Sequence, residues 1–219
     1  TIQMARACGI ETCPCGLISL EDGRWALIAR RMDRIDGRKR HMEDMCQLTD
    51  RLTERKYSGS LEQVGKAILR FCNNALFDAL RFFELNVFCF LTGNADMHFK
   101  NFSLIYDAGG EIRLAPAYDL VPTALLLPED KEETALTLNG RKRRLKRKDF
   151  QALGLSLRLT EKQLANSMTR LKTGIGRAVR LLDDGFCLPE TRRRYSDLIL
   201  NRCERAEMGD VRWRGPFDW

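Results

Sequence analysis

The sequence predicts a mainly helical α+β domain with short β-hairpins, on three observations. Ala79 to Leu91 (ALRFFELNVFCFL) is apolar around most of its circumference, as a helix at the centre of a core must be. Ser60 with Gln63 and Thr160 with Gln163 each form a capping box that marks the first turn of a helix. Between the helical stretches lie short runs punctuated by Gly- and Asn-containing turns, the pattern of hairpins.

The elements follow in order. Ile2 to Gly9 reads as the end of a helix closed by Gly9, and Arg24 to Ala29 as a short strand entered through the turn Glu21-Asp22-Gly23. From His41 the pattern is helical through Met42, Met45, Cys46 and Leu48, and it breaks near Tyr57-Ser58-Gly59-Ser60. The first capping box opens a helix from Leu61 to about Asn73, and the buried helix Ala79 to Leu91 follows. After the polar segment Gly93 to Asn101 come a strand Phe102 to Tyr106, a turn Asp107 to Gly110 and a strand Ile112 to Leu114. An irregular, Pro-rich stretch runs to about Asp130. A helix from Thr160 to about Asp183 and another from Pro189 to about Met208 end the fold.

A chain of 219 residues with 44% hydrophobic and 31% charged residues is one globular domain with a sizeable core. No apolar run reaches the roughly 18 residues that cross a bilayer, and TIQMARACGI is not a signal peptide, so the expected compartment is the cytoplasm, without membrane contact. A first residue Thr1 inside a helical pattern suggests a fragment. Of the eight cysteines, Cys8, Cys46, Cys72, Cys89 and Cys203 lie in apolar or helical patterns and read as reduced, packed thiols. Cys8, Cys13 and Cys15 lack the paired C-x2-C spacing of structural zinc.

The net charge of +7 admits an acidic partner without choosing one. Much of it comes from Arg141 to Lys148 (RKRRLKRK). Asn139-Gly140 follows the alternating Thr134 to Leu138, so the run is expected to start on a returning edge strand, where Lys and Arg discourage strand addition. Direct nucleic-acid binding by this run ranks last among the functional readings.

Chemistry concentrates in Gly93 to Asn101, which sets Asp96, His98, Lys100 and Asn101 between a buried helix and a strand. Asp96 precedes Asn101 by the spacing of the protein-kinase catalytic loop, in which Asp accepts the substrate hydroxyl proton and Asn holds magnesium. Asp119, after the hairpin, stands where a second metal carboxylate is needed, because the outer ends of two antiparallel strands meet. Singly these residues have plainer readings. Asp and Asn are common turn and cap residues, His98 can orient a backbone group, and Lys100 can be a surface charge or a partner of Asp96.

The strings GNADMHFKNFSLI and LAPAYDLVPT closely resemble the G-N-x-D-x-H-x-K-N-x-S and L-x-P-x-Y-D segments of HipA-like kinases, the toxins of bacterial toxin–antitoxin modules. ALIARRMDR, HMEDMCQL and Lys56-Tyr57 match further family segments, and the resemblance covers about residues 2 to 205. It implies a protein-kinase-like large lobe with the small N-terminal lobe missing: 1–40 a hinge-proximal remnant of the small lobe, 41–208 the helical large lobe and 209–219 a loosely attached tail. The implied activity is transfer of the ATP γ-phosphoryl group, with Mg2+, to a protein Ser or Thr hydroxyl. Asp96 would be the catalytic base, and Asn101 and Asp119 the magnesium ligands. His98, Phe99, Lys100, Asn101, Tyr118 and Asp119 would face ATP. Arg30, Arg31 and Met32 would be the hinge whose backbone meets adenine, with Asp33 near the ribose.

The chain departs from the family where Arg30 stands in place of a frequent acidic residue. No lysine precedes Lys39, so the family's Gly-rich loop, strand lysine and autophosphorylated serine have no counterpart here. Arg212 to Trp219 has none in the family. The implied partners are a protein substrate, possibly in translation, and an antitoxin, with DNA reached only through the latter. The rival is a non-catalytic lobe that docks an antitoxin or a separate small-lobe subunit. The intact Asp96, Asn101 and Asp119 set argues against it.

Overall fold

The computed structural model describes residues 1–183, 185 and 187–211. The first helix, α1 (Ile2–Ala7), stops before Gly9, whose φ of +78° is open to glycine without strain. Next comes an antiparallel ribbon of β1 (Cys15–Ser19) and β2 (Trp25–Ala29), in register from Cys15 opposite Ala29 to Ser19 opposite Trp25. Only its second strand is evident from sequence, since CGLIS has no polar alternation to mark it. A two-residue pairing of β3 (Arg34–Ile35) with β4 (Arg38–Lys39) then turns at Asp36-Gly37.

The stretch after His41 corrects the helical expectation. Met42–Asp44 is a strand, β5, and only Met45–Leu48 is helical, as α2. The strand forms because β5 completes a three-stranded sheet of order β5-β6-β7, a long-range pairing that overrides local periodicity. Asp44 then caps α2, accepting from the Gln47 amide while the Gln47 side chain takes the Asp44 amide.

Ser60 and Gln63 form the expected box at the start of α3 (Leu61–Phe71). The central helix α4 runs from Ala75 to Thr92, four residues longer at its start than its apolar stretch, with Asp78 buried and paired to Arg81. Phe82, Phe83, Phe88, Phe90 and Leu91 on α4 are all within 1% of complete burial, each contributing about 2 kcal/mol relative to exposure.

The hairpin of β6 (Ser103–Tyr106) and β7 (Ile112–Leu114) pairs Leu104 with Leu114 and Tyr106 with Ile112. A short helix α5 (Thr123–Leu126) follows. The basic run is also corrected: Leu138 and Arg141 make a single antiparallel bridge, and from Arg147 the chain is helical as α6 (Arg147–Ser156). Its Phe150 and Leu153 are buried, as is Leu157 just past its end, and the Asp149 carboxylate accepts from the Lys146 amide at 2.9 Å.

Helices α7 (Glu161–Arg180), opened by the Thr160–Gln163 box, and α8 (Pro189–Arg205) close the bundle around α4. The expected tail falls mostly on 212–219, outside the described residues. Among the described residues no disulfide forms, and no helix is long and apolar enough to cross a membrane.

Candidate functional site

The rigid end of α4 sets the site. Gly93 ends the helix in the left-handed region at φ +79°, and the Asn94 amide reaches back to the Cys89 carbonyl at 2.8 Å, a helix stop that frees the next residues from the helix axis. A Cβ on Gly93 would lie 3.1 Å from Leu198 and 3.3 Å from Ala124, so glycine also permits close packing here. The Thr123 hydroxyl accepts from the Ala95 amide at 2.8 Å, tying the loop to α5.

Beyond this stop the loop closes on Asp96. Its amide donates to the Asn94 side chain at 3.1 Å, and its carbonyl accepts from the His98 backbone amide at 2.8 Å and from the Asn101 side-chain Nδ2 at 3.0 Å. The spacing from Asp96 to Asn101 is the length of this ring, so the sequence signal has a geometric cause. Asn101 is 6% exposed, and with its nitrogen engaged only its oxygen is left to meet a cation.

Asp119 comes from the other side. Ala115 pairs with Ser103 through its amide, which returns the segment after β7 to the start of β6. The Asn94 amide nitrogen meets the Asp119 carbonyl at 3.4 Å, a long bond that joins the two loops. Asp119 has φ +54°, strained for a residue other than glycine, and its side chain is exposed. One exposed carboxylate and one amide oxygen are a donor set that suits magnesium, a hard cation satisfied by one or two protein oxygens beside water and phosphate. Among the described residues, no group of three or more His, Cys, Asp or Glu offers an all-protein metal cage.

Neighbouring side chains divide into those facing the loop's open side and those holding it. Lys100 pairs with Asp44 on β5 at 2.8 Å, which raises its pKa, and not with Asp96. The Tyr118 hydroxyl donates to the Lys100 carbonyl at 2.7 Å and so accepts from Ser103 at 2.6 Å. Phe99 is fully buried, with the Arg51 guanidinium 4.4 Å from its ring centroid, so only its backbone could meet a nucleotide. His98 is 6% exposed with Nδ1 unpartnered. Burial first, and then nearby Lys56, push its pKa down, so the imidazole is neutral near pH 7.

The structure therefore gathers Asp96, His98, Asn101, Tyr118 and Asp119 into one region. The hinge residues stand apart: among the described residues no hydrogen bond joins 30–33 to the loop. The Arg30 amide is already taken by the Pro14 carbonyl at 2.8 Å, while Arg31 is exposed and Met32 half-buried. Arg31 grips Asp33 with two bonds of 2.9 and 2.7 Å, and this pairing pulls the Asp33 carboxyl down to about 2. Sequence chemistry alone does not mark Tyr57, whose hydroxyl donates to Asp96 Oδ1 at 2.8 Å from 39 residues away. Only the Lys56-Tyr57 resemblance touches it.

Comparison with known proteins gives the context. A family model described as the HipA-like C-terminal domain matches residues 1–179. "Putative kinase Y4mE" of Sinorhizobium fredii is 26% identical over 223 residues, which cover 94% of this chain and 52% of that protein. The HipA chain in the Shewanella oneidensis toxin–antitoxin complex of HipA, HipB and operator DNA superposes with a TM-score of 0.80 at 22% identity, over 96% of this chain and 55% of that one. The proinflammatory kinase CtkA of Helicobacter pylori superposes with a TM-score of 0.66 at 15% identity, over 96% of this chain and 82% of that one. The fold is thus the kinase-like fold of these two structures. The chain spans about half the length of Y4mE and of the Shewanella HipA chain.

Proposed function

The chain belongs to the HipA-like C-terminal domain family, and from that premise we propose that it is the large lobe of a Ser/Thr protein kinase transferring the ATP γ-phosphoryl group to a protein hydroxyl. The observation that carries this reading is the closed ring through the Asp96 carbonyl, which orients Asn101 and presents the Asp96 carboxylate from a loop fixed at the end of α4.

In this reading Asp96 takes the proton of the acceptor hydroxyl as it attacks phosphorus. Asn101 and Asp119 would hold magnesium, which when bound would neutralise phosphate charge. His98, neutral, offers a ring nitrogen near the phosphates without adding a charge. Tyr118 keeps the Lys100 carbonyl, and through it the end of the loop, in place. The hinge Arg30 to Met32 meets adenine through the backbone groups left after the Arg30 amide is taken by Pro14, with Asp33 near the ribose. Its setting is the cytoplasm. By likeness to the Shewanella HipA, seen with HipB and operator DNA, the proposed partner is an antitoxin, with DNA reached through it. A translation component is the proposed acceptor.

Two substitutions in a protein of the relatives' length test the assignment. Asp96→Asn is expected to keep Mg·ATP affinity while transfer falls by about 10²- to 10⁴-fold. Asp119→Asn is expected to lose magnesium-dependent ATP binding in calorimetric titration with the fold intact, since its side chain is exposed. Wild-type turnover by Asp96→Asn sinks the kinase reading, and undiminished binding by Asp119→Asn removes that residue from the metal site.

A further inference from the structure

Tyr57 stands where no phosphoryl-transfer role has been assigned, yet it makes the only hydrogen bond to the Asp96 carboxylate among the described residues. Its neighbour fixes it there: the Lys56 carbonyl accepts from the Phe99 amide at 3.2 Å, joining the turn before α3 to the catalytic loop. The ring lies nearly perpendicular to His98, with centroids 5.0 Å apart, and the Lys56 ammonium sits 5.1 Å from its centroid. Ser58 and Gly59 continue this turn, and a Cβ on Gly59 would lie 2.6 Å from the Phe99 ring, so turn and loop are packed as one unit.

A carboxylate on a short side chain rotates readily about its last bond, because the torsion to an sp² carbon is broad. A hydrogen bond to one oxygen stops that rotation. It also leaves the other oxygen as the one open to a further hydrogen-bond donor.

We infer that Tyr57 is a positioning residue for phosphoryl transfer: its hydroxyl fixes Asp96 through Oδ1 and so reserves Oδ2 for the acceptor hydroxyl. Oδ2 carries no hydrogen bond from a described residue, which leaves it free for this task. Tyr57 remains protonated at neutral pH, since burial first and then the bond to Asp96 push its phenol up to about 12. The inference rests on the kinase reading of Asp96. It adds a residue outside the Gly93–Asn101 loop and ties acceptor use to the turn before α3.

The test has two arms. In the first, Tyr57→Phe is made in a protein of the relatives' length, alone and with Asp96→Asn. The residue is 44% exposed, so the unfolding midpoint should not move. Transfer is expected to slow by about 10- to 100-fold in kcat, the scale of a misplaced catalytic group, with KM for ATP unchanged and no further loss on top of Asp96→Asn. In the second, the Tyr57 phenol of residues 1–219 is titrated by NMR of labelled tyrosine, and Asp96→Asn is expected to move its midpoint toward 10.

Unchanged or faster turnover in Tyr57→Phe overturns the role, as does a rise in KM for ATP that accounts for the loss, or a further loss on top of Asp96→Asn. An unmoved phenol midpoint overturns the contact itself. If the parent shows no transfer that depends on Asp96, the kinase reading has failed and the role falls with it, while the NMR arm still reports separately on the contact.

Discussion

Glu133 and Arg205 show how much of this molecule's chemistry is invisible to local sequence. The Glu133 carboxylate accepts from the two terminal nitrogens of the Arg205 guanidinium, at 2.5 and 2.9 Å, and from the Leu145 amide at 2.8 Å, joining the segment after α5 to the end of α8. The partners lie 72 residues apart, and nothing near either announces the other. Asp96 and Asn101 were legible because their bond is local and its ring length is written as a spacing. Burial pushes the Glu133 carboxyl up, but the Arg205 fork and the Leu145 amide outweigh it, and the net shift is downward from 4.5. A depressed folded-state pKa gives stability that is present above the unfolded value and lost as pH falls through the folded one. Urea midpoints measured from pH 7 down to pH 3 should therefore drop more steeply for the parent than for Glu133→Gln. At pH 7, Arg205→Met is expected to destabilise by about 3 kcal/mol, since it leaves a largely buried carboxylate unpaired. Equal acid slopes in parent and Glu133→Gln would show that this pair does not set the acid limb.

At the scale of elements, the boundaries the sequence revealed were those with a local cause. The Ser60–Gln63 and Thr160–Gln163 boxes open α3 and α7 because both halves of each bond lie within one turn. β5 was hidden because Met42–Asp44 is a strand only in the presence of β6, and α6 because its start, Arg147-Lys148, belongs to a run of charge that reads as a solvated edge. Another non-local constraint is the approach of α1 to α7. A Cβ on Gly174 would lie 2.5 Å from the Cys8 Cα, a backbone atom that cannot rotate away. Past α1 the chain pairs with the segment before Asp119, the Cys13 amide reaching the Ala117 carbonyl at 3.0 Å and the Ala117 amide the Glu11 carbonyl at 2.8 Å. Gly174→Ala is thus expected to cost about 1–3 kcal/mol by forcing α1 outward, although alanine favours helices. Gly109→Ala, in open space in the β6–β7 turn, is the control and should stay within about 0.5 kcal/mol. Thermal unfolding of both variants decides: an unchanged midpoint for Gly174→Ala would mean the helices separate without cost.

In the proposed reading, the described residues supply one side of a nucleotide site. Asp96, Asn101 and Asp119 all lie between α4 and α5, so in the proposed site each would reach a ligand from the same body. Phosphoryl transfer depends on holding the γ-phosphate in line and on fixed charges around it, and a triphosphate held from one side stays hydrated and mobile. The β1–β2 ribbon points the same way. Leu17, Leu27 and Ile28 are 51–58% exposed, and among the described residues the ribbon pairs with no third strand, an arrangement of marginal stability in water. Residues 1–219 alone are therefore expected to bind Mg·ATP weakly and to transfer little phosphate. A protein of the relatives' length, or the chain mixed with a separate polypeptide supplying a Gly-rich loop and a lysine, is expected to be the active form. Radiolabelled ATP transfer compares the two, each with and without Asp96→Asn. Activity that appears only with the added segment and vanishes with Asp96→Asn supports a site shared between two bodies. If residues 1–219 alone turned over as fast as the longer form, and lost that turnover with Asp96→Asn, the described residues would suffice to align ATP and the two-body mechanism would be wrong for this protein.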